Sequence, residues 1–168
     1  KKVILAVNHM AELLMSYFGD GELIGLPIQY SREEKPLGTA GPLGLLQNIE
    51  DSFIVMNGDI LTNLNFSNLV DNHHASNSIA TMGVCRRIVE TDLGVVEFDV
   101  NDVLTSYLEK PTYEHWVSMG IYVFQPRVLE FIQPGQHLDL PDLMNMLISS
   151  GETINCFRHE GYWLDIGR

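Results

Sequence analysis

The sequence predicts an α/β fold on a mixed, mainly parallel sheet, and three observations carry that reading. Short uninterrupted apolar runs, Phe53-Ile54-Val55-Met56 among them, look like strands buried on both faces, the kind parallel sheets use. Through the first half such runs alternate with stretches of helical spacing, which argues for crossover units. The second half changes character, with two strands facing each other across a tight turn.

Taken in order, residues 2–8 read as a buried strand. Residues 9–18 follow as a helix, with Met10, Leu13, Leu14, Tyr17 and Phe18 spaced for one face, and Gly19-Asp20-Gly21 stops it. Residues 27–31 form a short strand. The charged loop Arg32-Glu33-Glu34-Lys35-Pro36 leads to Leu37-Gly38-Thr39-Ala40-Gly41, where Thr39 is placed to cap a helix running to Gln47. After the strand at Phe53 come a helix over 66–75 and a strand over 78–87. Residues 93–99 and 103–109 pair across a turn at Asn101-Asp102, and 117–124 is a further strand. A short helix over 126–132 has Pro126 in its first turn. A longer helix over 139–150 has Pro141 near its start, and 153–157 is the last clear strand.

No linker, repeat or low-complexity tract divides the 168 residues, so 1–168 reads as one domain, large enough for a real core. The first strand opens without a cap, and the chain stops straight after an aromatic-acidic motif. Both ends are therefore expected to be cut from something longer. Ten Lys and Arg against 22 Asp and Glu give a net charge of -12. That field repels nucleic acid, so no nucleic-acid partner is expected, and an anionic substrate would need a cation or a local Lys or Arg. No apolar run approaches the roughly 20 residues that span a bilayer, so no membrane partner is expected. Cys85 and Cys156 are too few for a disulfide framework and lie outside any CxxC pair, which points to the cytoplasm. The histidines lack metal spacing, and the adjacent His73-His74 read as a solvated face.

Three stretches combine glycine, proline and charge beyond what a core requires. In the first, Pro36 fixes the approach, Gly38 lets backbone come close to a flat ligand, and the helix behind offers free N–H groups. An ordinary capped loop reads equally well. In the second, Asn57-Gly58-Asp59 ends a strand where α/β sheets place their ligands, so Asp59 is positioned to hold Mg²⁺ beneath phosphates, though turns use the same residues. In the third, Glu109-Lys110-Pro111 ends another strand, and Lys110 is either a phosphate contact or half of a solvated pair. Asp165, in Gly161-Tyr162-Trp163-Leu164-Asp165, sits between apolar neighbours and needs a partner, which a metal shared with Asp59 would supply.

In this order and at these spacings, EEKPLGTAG, FIVMNGD, LGVVEFD, LEKP, MGIYVF and GYWLDIG resemble the sugar nucleotidyltransferases, across essentially the whole chain. The likeness is to the mannose-1-phosphate guanylyltransferase and glucose-1-phosphate thymidylyltransferase type. It implies a Rossmann-like three-layer nucleotide-diphospho-sugar transferase fold and a reaction between a nucleoside triphosphate and a sugar 1-phosphate. It also implies that Asp59 and Asp165 bind Mg²⁺, that Lys110 holds the sugar phosphate, and that Glu109 bonds sugar hydroxyls. Glu33, Pro36, Gly38 and Thr39 fall in the segment that reads the nucleobase, Gly94 in the sugar-facing turn, and Gly120 in the strand facing the sugar.

The family's opening signature, of the form GGxGTRLxPxTxxxPKP, has no match here, and the first residues resemble its second strand. The first β-loop-α unit is thus expected to be missing, and with it the triphosphate cradle, leaving this chain weakly active or inactive by itself. Ser118 and Met119 stand where the family commonly has Asn and a small residue. The missing strand belongs in the middle of the sheet, so two strand edges are expected to be exposed, and the chain to pair with a second copy or rearrange to cover them. A non-catalytic domain that binds a nucleotide sugar is the competing reading. A glycosyltransferase is disfavoured because Asp59 is followed by Ile60 and Leu61 rather than completing Asp-x-Asp.

Overall fold

The structure is a computed structural model that describes residues 2–167. Its centre is β8 (Thr112–Phe124), whose last six residues alternate between two apolar layers. Met119, Ile121 and Val123 join one buried cluster with Leu64, Leu69 and Cys85. Tyr122 and Phe124 join another with Ala80, Val128, Leu140, Leu143 and Leu147. β8 runs antiparallel to β3 (Phe53–Met56) on one edge and to β5 (Ala80–Glu90) on the other. β9 (Ile154–His159) lies parallel to β5, giving the order β3-β8-β5-β9. The sheet is mixed, as expected, with β3, β5 and β9 running one way and β8 against them. Helix α2 (Phe66–Ser76) supplies Leu69 to the first cluster, and α3 (Leu140–Ser149) supplies Leu143 and Leu147 to the second. The sheet is thus the middle of three layers.

The N-terminal unit stands apart. β1 (Val3–Val7) and β2 (Ile28–Arg32) form their own parallel pair around α1 (Ala11–Phe18). Among the described residues β1 pairs only with β2, and β3 only with β8. Neither strand is buried on both faces as its composition predicts: Ala6 of β1 is exposed, and in β3 Ile54 and Met56 are 41% and 39% exposed while Phe53 and Val55 pack on the core. With one edge unpaired and one face uncovered, an apolar run fixes a strand without fixing its burial. The expected apolar face of α1 fares the same way, since Met10, Leu13 and Tyr17 are exposed. Met10 takes the left-handed conformation at φ 60, so the helix starts at Ala11 rather than at residue 9.

Three further expectations change. The helix expected after Thr39 is a single 3₁₀ turn over Gly41–Leu45, and Thr39 does not cap it. Two three-residue strands, β4 (Ile60–Thr62) and β10 (Trp163–Asp165), pair antiparallel with Asp165 opposite Ile60; neither is long enough to show a pattern in sequence. His73 is not on a solvated face but 1% exposed, its Nδ1 2.9 Å from the buried Thr81 hydroxyl. The last part of the fold is as expected: β6 (Val95–Phe98) and β7 (Leu104–Leu108) form a hairpin, with Asp102 in the left-handed region at its turn.

Candidate functional site

Asp59 lies in a turn held on two sides by backbone hydrogen bonds. Beyond the end of β3 the Asn57 N–H donates to the Gly120 carbonyl at 3.0 Å, holding the turn against β8. Gly120 has φ +70, and a Cβ there would lie 2.8 Å from Asn57 Nδ2. Its glycine character serves this close approach. Asp59 follows, exposed, and its carbonyl accepts the Ile166 N–H at 2.9 Å, which ties β10 to the turn. The Trp163 indole N–H donates to the Met119 carbonyl at 2.9 Å and fixes β10 onto the core.

These ties converge two carboxylates. The Gly167 N–H donates to Asp165 Oδ1 at 3.1 Å. A Cβ on Gly167 would overlap Asp59 Oδ2 and stand 3.4 Å from Asp165 Oδ1. The two side chains therefore flank one point, although they are 106 positions apart in sequence (165 less 59). Among the described residues no group of three or more His, Cys, Asp or Glu side chains gathers around a metal-sized space. Two carboxylates alone do not make a structural zinc site. They do suit Mg²⁺, which takes one or two carboxylates and completes its shell with water and phosphate oxygens.

The other expected site residues make contacts within the chain. Glu33 Oε2 accepts the Leu37 N–H at 2.9 Å, closing the loop that Pro36 enters. Thr39 serves the helix across from it: its hydroxyl accepts the Leu140 N–H at 2.8 Å, while its own N–H donates to Asp139 Oδ1 at 2.9 Å. It thus satisfies a free donor at the start of α3 rather than capping its own turn. Gly38 has φ +76, and a Cβ would sit 2.6 Å from the Leu138 carbonyl oxygen, so the backbone of this chain approaches closely on that side. Gly94 similarly packs on the Tyr107 ring. Ser118 lies 2.9 Å from the Tyr122 hydroxyl, and Met119 is fully buried.

Glu109 and Lys110 lie just past β7, both exposed, with Lys110 in the left-handed region at φ 46. The Tyr107 hydroxyl donates to Glu109 Oε2 at 2.7 Å. Neither residue forms a hydrogen bond or ion pair with Asp59 among the described residues. The residue that sequence reasoning missed is Gly167. Its only signal was its place two positions after an acid that wanted a partner. An open cleft of about 420 Å³ adjoins Asp165, with Trp163 and Arg87 also in its walls.

The nucleotidyl transferase family pattern matches residues 1–168. The UTP–glucose-1-phosphate uridylyltransferase of Synechocystis sp. is 34% identical over 189 residues, covering 99% of this chain and 48% of that protein. The mannose-1-phosphate guanylyltransferase of Mycobacterium tuberculosis is 31% identical over 175 residues, covering 98% of this chain and 48% of that protein. The chain spans about half the length of the curated relatives it matches. A crystal structure of HddC from Yersinia pseudotuberculosis superposes with a TM-score of 0.72 at 18% identity, covering 99% of this chain and 73% of that one. A putative glucose-1-phosphate thymidylyltransferase from Bacillus anthracis gives 0.73 at 21% identity, covering 98% and 70%. The structural likeness carries the fold.

Proposed function

The chain belongs to the nucleotidyl transferase family, among the sugar nucleotidyltransferases, and from that premise we propose that it is the part of such an enzyme that holds the metal and the sugar phosphate. The reaction moves a nucleotidyl group from a nucleoside triphosphate to a sugar 1-phosphate. An oxygen of the sugar phosphate bonds to the α-phosphorus as the bond from that phosphorus to the β-phosphate breaks, and pyrophosphate leaves with the electron pair. The convergence of Asp59 and Asp165 around Gly167 is the observation that carries this reading.

Bringing two phosphates together is mainly a problem of repulsion and alignment. Asp59 and Asp165 would hold Mg²⁺, which when bound neutralises phosphate charge and favours in-line geometry. Lys110 offsets the charge of the sugar phosphate once its hairpin folds over the ligand, with Glu109 and the backbone at Gly94 on the sugar. The 33–39 loop carries the base-reading segment, through its backbone rather than through Thr39. No general base is required, because a phosphate monoester is already ionised at neutral pH. No described helix is long and apolar enough to cross a membrane, and work in the cytoplasm fits the cysteine usage. The unpaired edges of β1 and β3 fit assembly with a second copy.

A second reading, a domain that binds a nucleotide sugar without turning it over, is favoured by the exposure of Lys110 and of the whole of β7 before it. The test is a thermal-shift panel of GDP-, UDP-, dTDP- and CDP-linked sugars, with Mg²⁺ or chelator, on the native chain and on Asp59→Asn and Asp165→Asn. A ligand at 100 times its Kd stabilises by about 2.7 kcal/mol. A shift with one base, abolished by chelator and by either substitution, is the expected result. A cooperative melt unmoved by every ligand overturns the binding site in this chain.

A further inference from the structure

The cleft beside Asp165 exists because two strands part company. β9 ends at His159, paired with Cys85, and the chain turns through Gly161 into β10. That turn is tight: a Cβ on Gly161 would come within 2.6 Å of the His159 ring. β5 runs on to Glu90 with only β8 beside it, so its edge opens at Arg86 and Arg87. Strand alternation puts Arg87 on the face of Cys85, which shares a buried cluster with Trp163. Arg86 takes the opposite face, where its guanidinium meets Glu114 at 3.5 Å. The Arg87 side chain forms no hydrogen bond or ion pair among the described residues.

Unpaired placement of a cation here has a chemical meaning. The chain carries ten Lys and Arg against 22 acids, yet this guanidinium has no ion pair among the described residues, in a cleft that Asp165 also lines. Open to solvent, it is available to an anion from outside the protein. The planar fork of a guanidinium matches a phosphate bidentately. A cation held by only two carboxylates also calls for phosphate oxygens. Half-buried Trp163 lines the same cleft.

We infer that Arg87 is a phosphate-binding residue, holding a phosphoryl group in the cleft over Trp163, next to the Asp59–Asp165 pair. The inference rests on the proposed reaction in one respect, that the phosphate belongs to a substrate or product of that site. Its source is the sugar 1-phosphate or the departing pyrophosphate, which share this chemistry.

The experiment titrates the whole 168-residue chain with inorganic phosphate, pyrophosphate and glucose 1-phosphate, followed by ³¹P NMR with and without Mg²⁺. Native protein is compared with Arg87→Gln, Arg87→Lys, Asp59→Asn and, as a remote control, Arg127→Gln. Arg87→Gln should weaken binding by about tenfold or more, the effect of losing a charge-assisted contact. Arg87→Lys should recover part of that loss, and the melting temperature without ligand should stay put because the side chain is exposed. Tighter binding of glucose 1-phosphate than of inorganic phosphate assigns the site to the sugar substrate; tighter pyrophosphate assigns it to the leaving group. Metal-free binding that survives Asp59→Asn but not Arg87→Gln upholds Arg87 even if the transferase reading fails. Binding unchanged in Arg87→Gln, or no anion binding by the native chain, overturns the inference; in the first case a Mg²⁺-dependent nucleotide-sugar shift would leave the transferase reading standing.

Discussion

The turn that carries Asp59 and Asp165 and the hairpin that carries Glu109 and Lys110 hold the two halves of the proposed site, and they are anchored differently. Ile60 and Trp163, next to the carboxylates, pack on the cluster of Leu69, Ile121 and Val123. Every residue of β7, by contrast, is exposed, as are three of the four in β6. The hairpin is ordered by its own bonds: the Asp99 carboxylate accepts the Asn101 and Val103 N–H groups at 2.8 and 3.0 Å. Those amides, Val103 first, hold the Asp99 carboxyl below the usual carboxylate range. One half of the site is therefore fixed by the core and the other only by local geometry. The second is the half a ligand can move, because elements with few buried contacts open most readily.

The largest expected effect tests that contrast in the scaffold. Phe124 is fully buried between Phe53 and Tyr122, whereas Phe98 on β6 is 64% exposed. Phe124→Ala should cost about 3–5 kcal/mol in urea denaturation, while Phe98→Ala should stay within about 0.5 kcal/mol. Comparable losses would mean that the hairpin is packed on something and that the contrast is false.

Next comes the carboxylate pair. Gly167→Ala puts a methyl group where Asp59 Oδ2 lies, so the pair must spread. The Mg²⁺-dependent stabilisation by a nucleotide sugar, about 2.7 kcal/mol at 100 times Kd, should vanish. The urea midpoint of the metal-free protein should barely move, since Gly167 is exposed. An undiminished metal-dependent shift would show that the cation sits elsewhere.

Much of this contrast was already legible in the chain. FIVM and MGIYVF announce strands because their apolar runs dictate pairing whatever lies beyond, and the turn at Asn101-Asp102 follows from local chemistry. Burial was less legible, since Ile54, Met56 and the α1 face depend on what covers them. Asp59 and Asp165 were singled out by position and by the oddity of an acid among apolar neighbours. Gly167 and Arg87 were not, because their meaning comes from β10, a three-residue strand that leaves no periodic trace. Thr39 was misassigned for a related reason: its hydroxyl meets a helix that starts 101 positions later (140 less 39), and only tertiary structure reveals that partner.

His73 sets a smaller effect on the core side. Burial, and then neighbouring His74, hold its pKa below the ordinary value, and its Nε2 has no hydrogen-bond partner among the described residues. The folded state thus binds fewer protons here than the unfolded chain. Stability from this group is fully present above the unfolded pKa near 6.5 and is lost as pH falls toward the lower folded value. The slope should not exceed about 1.4 kcal/mol per pH unit. Urea midpoints between pH 7.5 and 5.5 should fall in the native chain and flatten in His73→Gln. Equal slopes in both would place the titrating group elsewhere.

The smallest effect probes the hairpin itself, by spectroscopy rather than stability. The hydrogen bond from the Tyr107 hydroxyl to Glu109 raises the phenol pKa above its ordinary value. Glu109→Gln should bring it back toward about 10, read as the alkaline ultraviolet titration of a chain in which other tyrosines are controlled by Tyr107→Phe. A sugar phosphate that recruits Glu109 to its hydroxyls should do the same in the native chain, because the carboxylate then has another donor to accept. If the ligand leaves Tyr107 titrating high while the carboxylate pair still responds to it, Glu109 stays bound to its own strand. The hairpin would then be a bystander, and sugar recognition would have to come from the core-anchored side of the site.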